Sequence, residues 1–122
     1  VMQTSPVYND AVEEIYLSLM NKIKLANNAG IKDVVAAPGI GFGKTKEDNF
    51  EIIERAKEFF SLNVPVMFGV SRKSLLGIND DNNDLKDSLS AAISYPLAKA
   101  GVDYLRVHNI SLHKRMLDLI KN

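Results

Sequence analysis

Three short polar clusters end three apolar runs in this chain: Ala37-Pro38-Gly39-Ile40-Gly41-Phe42-Gly43-Lys44, Ser71-Arg72-Lys73-Ser74 and Arg106-Val107-His108-Asn109. From Ala37 to Ser71 is 34 residues and from Ser71 to Arg106 is 35, close to the length of one strand, one helix and two loops. A parallel strand cannot follow its neighbour through a tight turn and needs a crossover, usually a helix, which in one sheet runs right-handed. The spacing therefore predicts successive βα units, either in a doubly wound sheet or in an arc of a βα barrel. In both, ligand chemistry gathers beyond the carboxyl ends of the strands. The three clusters stand at those ends.

The apolar pattern fills in the elements. Val12, Ile15, Tyr16, Leu19, Met20, Ile23 and Ala26 recur at helical spacing, predicting a helix from about Asn9 or Asp10 to Gly30, with Asp10 and Glu13 placed for a capping box. Asp33 to Ala37 reads as a first strand that Pro38 ends, because proline has no N–H. Thr45 with Asp48 predicts a capped helix whose buried face is Ile52, Ile53, Ala56, Phe59 and Phe60, stopping at Asn63. Val64 to Val70 is a nearly continuous apolar run, the signature of a buried parallel strand. Gly77 to Asp84 is a polar loop. Leu85, Leu89, Ala92, Ile93, Leu97 and Ala100 mark a third helix closed by Gly101, with Pro96 predicting a kink or a missing hydrogen bond inside it. Val102 to Val107 is the third strand, and Ser111 is placed to cap a fourth helix.

Composition narrows the function classes. Lys+Arg and Asp+Glu are both 15, so no global charge draws the chain to nucleic acid or to an acidic membrane. Cys is 0, which removes disulfides, thiol nucleophiles and thiolate metal sites and suits a reducing, cytoplasmic setting. No apolar run approaches membrane-spanning length. The opening residues show no basic-then-apolar export pattern, and the chain reads as though it starts inside a longer protein. A complete barrel of this kind takes ~250 residues, about twice the 122 present.

The glycine cluster fits neither common phosphate-loop pattern. Counting back from Gly43-Lys44-Thr45 puts Pro38 where a Walker A loop has its first glycine, and Gly39 and Gly41 lead to Lys44 where the dinucleotide pattern has its third. What remains is a side-chain-poor loop carrying one aromatic, Phe42, which serves either a tight turn or a flat ligand. Lys73 follows a core strand directly and is held near the sheet's end. Arg106 and His108 are two apart, so in a strand they share a face. Just ahead of a helix N-terminus they offer a forked guanidinium and an imidazole to a phosphate or pyrophosphate. The competing reading pairs Arg106 with a nearby acid such as Asp103.

Taken in order, Gly39-Ile40-Gly41-Phe42-Gly43-Lys44, Ser71-Arg72-Lys73-Ser74 and Arg106-Val107-His108 resemble the carboxyl-terminal half of the dihydropteroate synthase family. The opening Met2-Gln3, Pro6 and Tyr8 extend the likeness over the whole length. The resemblance implies that residues 1–122 are part of a pterin-binding barrel: the carboxyl-terminal arc of a TIM (βα)8 barrel, with three parallel strands and four helices. It implies condensation of para-aminobenzoate with 6-hydroxymethyl-7,8-dihydropterin pyrophosphate in folate biosynthesis, releasing pyrophosphate. Lys73 would contact the pterin; Phe42, Gly41 and Ser74 would line the substrate site; Arg106 and His108 would hold pyrophosphate.

It further implies Mg2+ held by residues of the amino-terminal half, small-molecule substrates rather than nucleic acid or membrane, and either a homodimer or association with the missing half-barrel. Two positions depart from the family pattern. Ala37 stands where the family has an Asp that receives the pterin's N–H donors, and Asn109 stands where it commonly has Asp. Two other readings fit the residues less fully: a pterin-binding methyltransferase-like barrel, which Ser71-Arg72-Lys73-Ser74 argues against, and a module that has lost its chemistry.

Overall fold

The computed structural model of the chain describes residues 10–40, 45–71, 73 and 82–121. The chain alternates helical and extended segments: α1 (Ala11–Asn28), α2 (Lys46–Glu54), a 3-10 helix (Ala56–Leu62), β1 (Met67–Phe68), α3 (Asn83–Ala100), β2 (Tyr104–Leu105) and α4 (Ile110–Lys121). β1 and β2 are parallel, with Met67 opposite Tyr104 and Phe68 opposite Leu105. Helix α3 makes the crossover between them, as the spacing of the clusters predicts.

Helix boundaries follow local chemistry. Asp10 Oδ1 accepts the Glu13 N–H at 3.0 Å, and Thr45 and Asp48 form a full capping box. α1 and α3 both end in a Schellman turn. Gly30 (φ 90°) and Gly101 (φ 103°) take the left-handed conformation, and Ile31 N–H and Val102 N–H reach back to Ala26 and Leu97 carbonyls. Each turn hands the chain directly to an extended segment. α3 runs without interruption through Pro96, whose missing N–H leaves the Ala92 carbonyl without its usual donor.

Four sequence expectations need correction. The second helix is not continuous to Asn63: it ends at Glu54 and tightens into 3-10 geometry from Ala56. The third begins earlier than its apolar pattern, capped by the Asn82 side chain on Leu85 N–H, so Asn83 and Asp84 are helical rather than loop. The fourth is capped by Asn109, whose Oδ1 accepts the Leu112 N–H at 3.0 Å, and not by Ser111, which lies inside it. Among the described residues the strand count is two, not three: the segment before Pro38 joins the sheet only through a parallel bridge from Ala36 to Val66.

Two prolines account for that last difference. Ala36 N–H donates to Pro65 O at 2.8 Å and Met67 N–H donates to Ala36 O at 2.9 Å. Extending this ladder in either direction requires N–H groups from Pro38 and Pro65, which have none. The bridge cannot grow into a strand pair by those bonds.

Alternation along the strands divides the sheet into two faces. Val66, Phe68 and Val70 are buried against Val12, Ile52, Ile53, Phe59 and Leu97 of the helical layer. Phe59 is at the centre, fully buried, with its ring 6.3 Å from Phe68 in an edge-on arrangement and 6.4 Å from Tyr16. The opposite face, carrying Val35, Ala37, Met67, Gly69, Tyr104, Arg106 and His108, is exposed or half-exposed throughout. Val35 and Tyr104 keep 45% and 53% of their surface in solvent there.

A charged clamp joins the start of α1 to the junction after α2. Arg55 lies 3.0 Å from Asp10, 2.6 Å from Glu58 and 3.5 Å from Glu51. The Asp10 carboxyl is held below the ordinary carboxylate range, first by the Glu13 N–H and then by Arg55; the Glu58 carboxyl is lowered chiefly by its hydrogen bond from Arg55. A carboxyl whose folded pKa is depressed stabilises the fold above its unfolded pKa and loses that contribution as pH falls through the folded value. Arg55→Ala should therefore lower Tm at pH 6, with a gap that closes as pH falls below the carboxylate range. Thermal melts of both proteins across that range check it; a gap independent of pH would show the clamp contributes no charge-dependent stability.

Candidate functional site

The sheet ends where side chains take over its hydrogen bonds. Tyr104 N–H donates to Val66 O at 3.1 Å and Arg106 N–H to Phe68 O at 2.9 Å, so His108 N–H is next in line for Val70 O. It goes instead to Ser71 Oγ, at 3.1 Å. Val70 O accepts Lys73 N–H at 3.2 Å. That bond holds Lys73 near the end of β1, while the Ser71 side chain ties the same end to the segment after β2.

Gly69, Ser71, Lys73, Arg106, Val107 and His108 enclose a cleft of about 410 Å³. Lys73, Arg106 and His108 thus line one cleft at the carboxyl ends of neighbouring parallel strands. A larger hollow of about 580 Å³ lies along the flank of α2, but its lining of Lys46, Glu47, Asp48, Phe50, Glu51 and Glu54 comes from one helix, with no convergence of elements. Asp103 does not pair with Arg106: its carboxylate accepts the Val66 N–H at 2.8 Å. Among the described residues, no carboxylate lies within ion-pair distance of Arg106 or Lys73. Two cations and an exposed imidazole in one cleft without such a counter-charge can receive an anion, and a planar guanidinium suits one with paired oxygens.

Gly69 makes room for the guanidinium. A Cβ on Gly69 would meet Arg106 Nε and Nη2, both at 3.1 Å, so the Arg106 head lies across the bare backbone of β1. Sequence reasoning did not single out Gly69, since its importance depends on which residue of β2 lies opposite; nor did it assign a role to Ser71. Ladder register is the information that was lacking.

The remaining expected residues are distributed differently. Ala37 is exposed on the same face of the sheet, one residue past the bridge, and is not among the residues lining the cleft. Its methyl group offers no acceptor. Gly41, Phe42 and Ser74 lie outside the described residues, as do Met2, Gln3, Pro6 and Tyr8. Asn109, besides capping α4, directs its Nδ2 to the buried Asp87 carboxylate at 3.5 Å, so the amide anchors the base of the site to α3. Among the described residues, no three His, Asp or Glu side chains gather to hold a metal ion, and no helix is long and apolar enough to cross a membrane.

Comparison with known proteins gives the family of the chain. Residues 1–108 match the family model described as pterin binding enzyme. Dihydropteroate synthase from Clostridium beijerinckii is 33% identical over 120 residues, covering 93% of this chain and 45% of that protein. The structure of dihydropteroate synthase from Thermus thermophilus in complex with 4-aminobenzoate superposes with a TM-score of 0.87 at 33% identity, covering 94% of this chain and 48% of the other. The same enzyme in complex with 6HMPPP gives a TM-score of 0.88 at 32% identity, covering 99% of this chain and 50% of the other. The chain thus spans about half the length of these relatives. A match along most of its length, with parallel strands that deliver their polar ends to one cleft, means that this chain belongs to the pterin binding enzyme family.

Proposed function

We propose that the chain is the carboxyl-terminal arc of a βα barrel and supplies part of the active site of a dihydropteroate synthase. That enzyme joins para-aminobenzoate to 6-hydroxymethyl-7,8-dihydropterin pyrophosphate and releases pyrophosphate. The observation that carries the reading is the single cleft lined by Lys73, Arg106 and His108. As the carbon–oxygen bond to the leaving group breaks, negative charge builds on the pyrophosphate, and donors fixed beside it lower the barrier. Arg106 and His108 supply those donors. Lys73 reaches the pterin and one wall of the aminobenzoate pocket, which Gly41, Phe42 and Ser74 complete. Amine attack on an activated carbon needs positioning and leaving-group stabilisation more than a general base.

The open face of the sheet supports an incomplete barrel. Val35 and Tyr104 stand exposed on it, and uncovered apolar side chains on a sheet are a surface that another body covers. The amino-terminal strands of the barrel are that body in this reading. They also carry the ligands for Mg2+, and the assembled enzyme works in the cytoplasm, as a homodimer or from associated half-barrels. Ala37 weakens pterin binding relative to an Asp at the same position, by ~1.5–3 kcal/mol for the lost charged hydrogen bonds.

Calorimetry tests the proposal on the chain alone and on the chain combined with the amino-terminal half of the Clostridium beijerinckii enzyme. Pyrophosphate should bind the chain alone, and turnover should require the combination. Ala37→Asp should tighten pterin binding by the combined protein about 10-fold or more. Failure of the combined protein to bind pyrophosphate would overturn the proposal; turnover by the chain alone would overturn the incomplete-site reading.

A further inference from the structure

Ser71 makes two contacts with a single residue. Its Oγ accepts the backbone N–H of His108 at 3.1 Å and lies 2.8 Å from His108 Nδ1. Ser71 is buried, while the imidazole is exposed at the cleft. The hydroxyl has one hydrogen to give and two lone pairs to receive. With one lone pair engaged by the His108 N–H, the hydroxyl keeps its hydrogen and a second lone pair for the 2.8 Å contact with Nδ1. When Oγ donates that hydrogen, Nδ1 is the acceptor and the proton of the neutral ring belongs to Nε2.

We propose that Ser71 is a positioning residue that holds His108 in the Nε2–H tautomer, so that the ring presents an N–H, and not a lone pair, to an anion in the cleft. This rests on the pyrophosphate reading above for the identity of the anion, whereas the tautomer rests on the Ser71 contacts alone. An imidazole free of this hydroxyl samples both tautomers, and the wrong one turns a lone pair toward the phosphoryl oxygens. The same oxygen fixes the ring's origin as well as its proton, because it diverts the His108 N–H from the ladder. Ring position, ring orientation and proton placement thus depend on one side chain.

The test uses the chain with 15N-labelled histidine. At about pH 9, above the ordinary imidazole range, the expected spectrum of His108 shows Nδ1 as an unprotonated acceptor and Nε2 protonated, in a single tautomer. Ser71→Ala should produce a mixture of tautomers and weaken binding of inorganic pyrophosphate about 3- to 10-fold, whereas Ser71→Thr, which keeps the hydroxyl, should recover the single tautomer. A protonated Nδ1 or a mixture in the unmodified chain would overturn the proposal without recourse to any variant. So would a Ser71→Ala chain that stays folded and keeps the single tautomer. If the unmodified chain shows the expected nitrogens but binds no pyrophosphate even when combined with the amino-terminal half, the anion reading fails and the tautomer assignment stands.

Discussion

Replacing Arg106 with alanine should cost the cleft most of its affinity for pyrophosphate, about 10- to 100-fold, while leaving the melting temperature nearly unchanged. The two halves of this expectation have separate causes. The Arg106 side chain is exposed, and no ion pair within the described residues depends on it, so its loss leaves no buried charge uncompensated. Toward a bound anion it contributes charge-assisted hydrogen bonds, each worth ~1.5–3 kcal/mol. A more selective variant is Gly69→Ala, which retains the guanidinium but places a Cβ 3.1 Å from two of its nitrogens. Its effect on affinity should be several-fold, smaller than that of Arg106→Ala. Titration calorimetry with pyrophosphate, beside thermal melts, measures both. A variant lacking Arg106 that binds pyrophosphate as tightly as the unmodified chain would remove the anion site from this cleft.

The largest expected effect on stability lies on the other face of the sheet. Phe59→Ala should cost ~3–5 kcal/mol, a large part of the ~5–15 kcal/mol that holds an ordinary domain together. Phe59 is fully buried, and its ring sits between Tyr16 of α1 and Phe68 of β1. Removing it opens a cavity where helices and sheet meet. With one sheet face already open, this fold has little stability to lose, and the variant should be largely unfolded at room temperature by circular dichroism. Leu25→Ala is the control: Leu25 is 69% exposed, and its replacement should change stability little. If both variants melt alike, the helical layer does not pack through Phe59.

The expected βα order, the capping of α2 and the glycine stops were legible in the residues because each depends on neighbours within a few positions. So was the sharing of one face by Arg106 and His108, which requires only that the local chain be extended. The Ser111 cap was misplaced because Asn109 and Ser111 are both good capping residues and only backbone geometry separates them. The buried face of α3 is a sharper example. Its apolar pattern favoured Leu85, yet Leu85 is 42% exposed while Asp87, Ser90 and Ser94 are buried beside Leu97. Ser90 donates to the Lys86 carbonyl at 2.7 Å and the Asp87 carboxylate receives Asn109 Nδ2 at 3.5 Å, so two of these polar groups are buried with partners. Periodicity counts apolar residues, and it does not register a buried polar stripe.

What the amino-acid order determined alone is the alternation of elements, the chemistry placed at their ends and the family to which these belong, since all three reside in short contiguous segments. Only the tertiary structure decided which residues meet. Register put Gly69 beneath the Arg106 guanidinium and Ser71 against His108, 37 positions away; two prolines stopped the Ala36 bridge from becoming a third strand. Such outcomes depend on which N–H faces which carbonyl across the sheet, a relation between distant segments that no local pattern encodes.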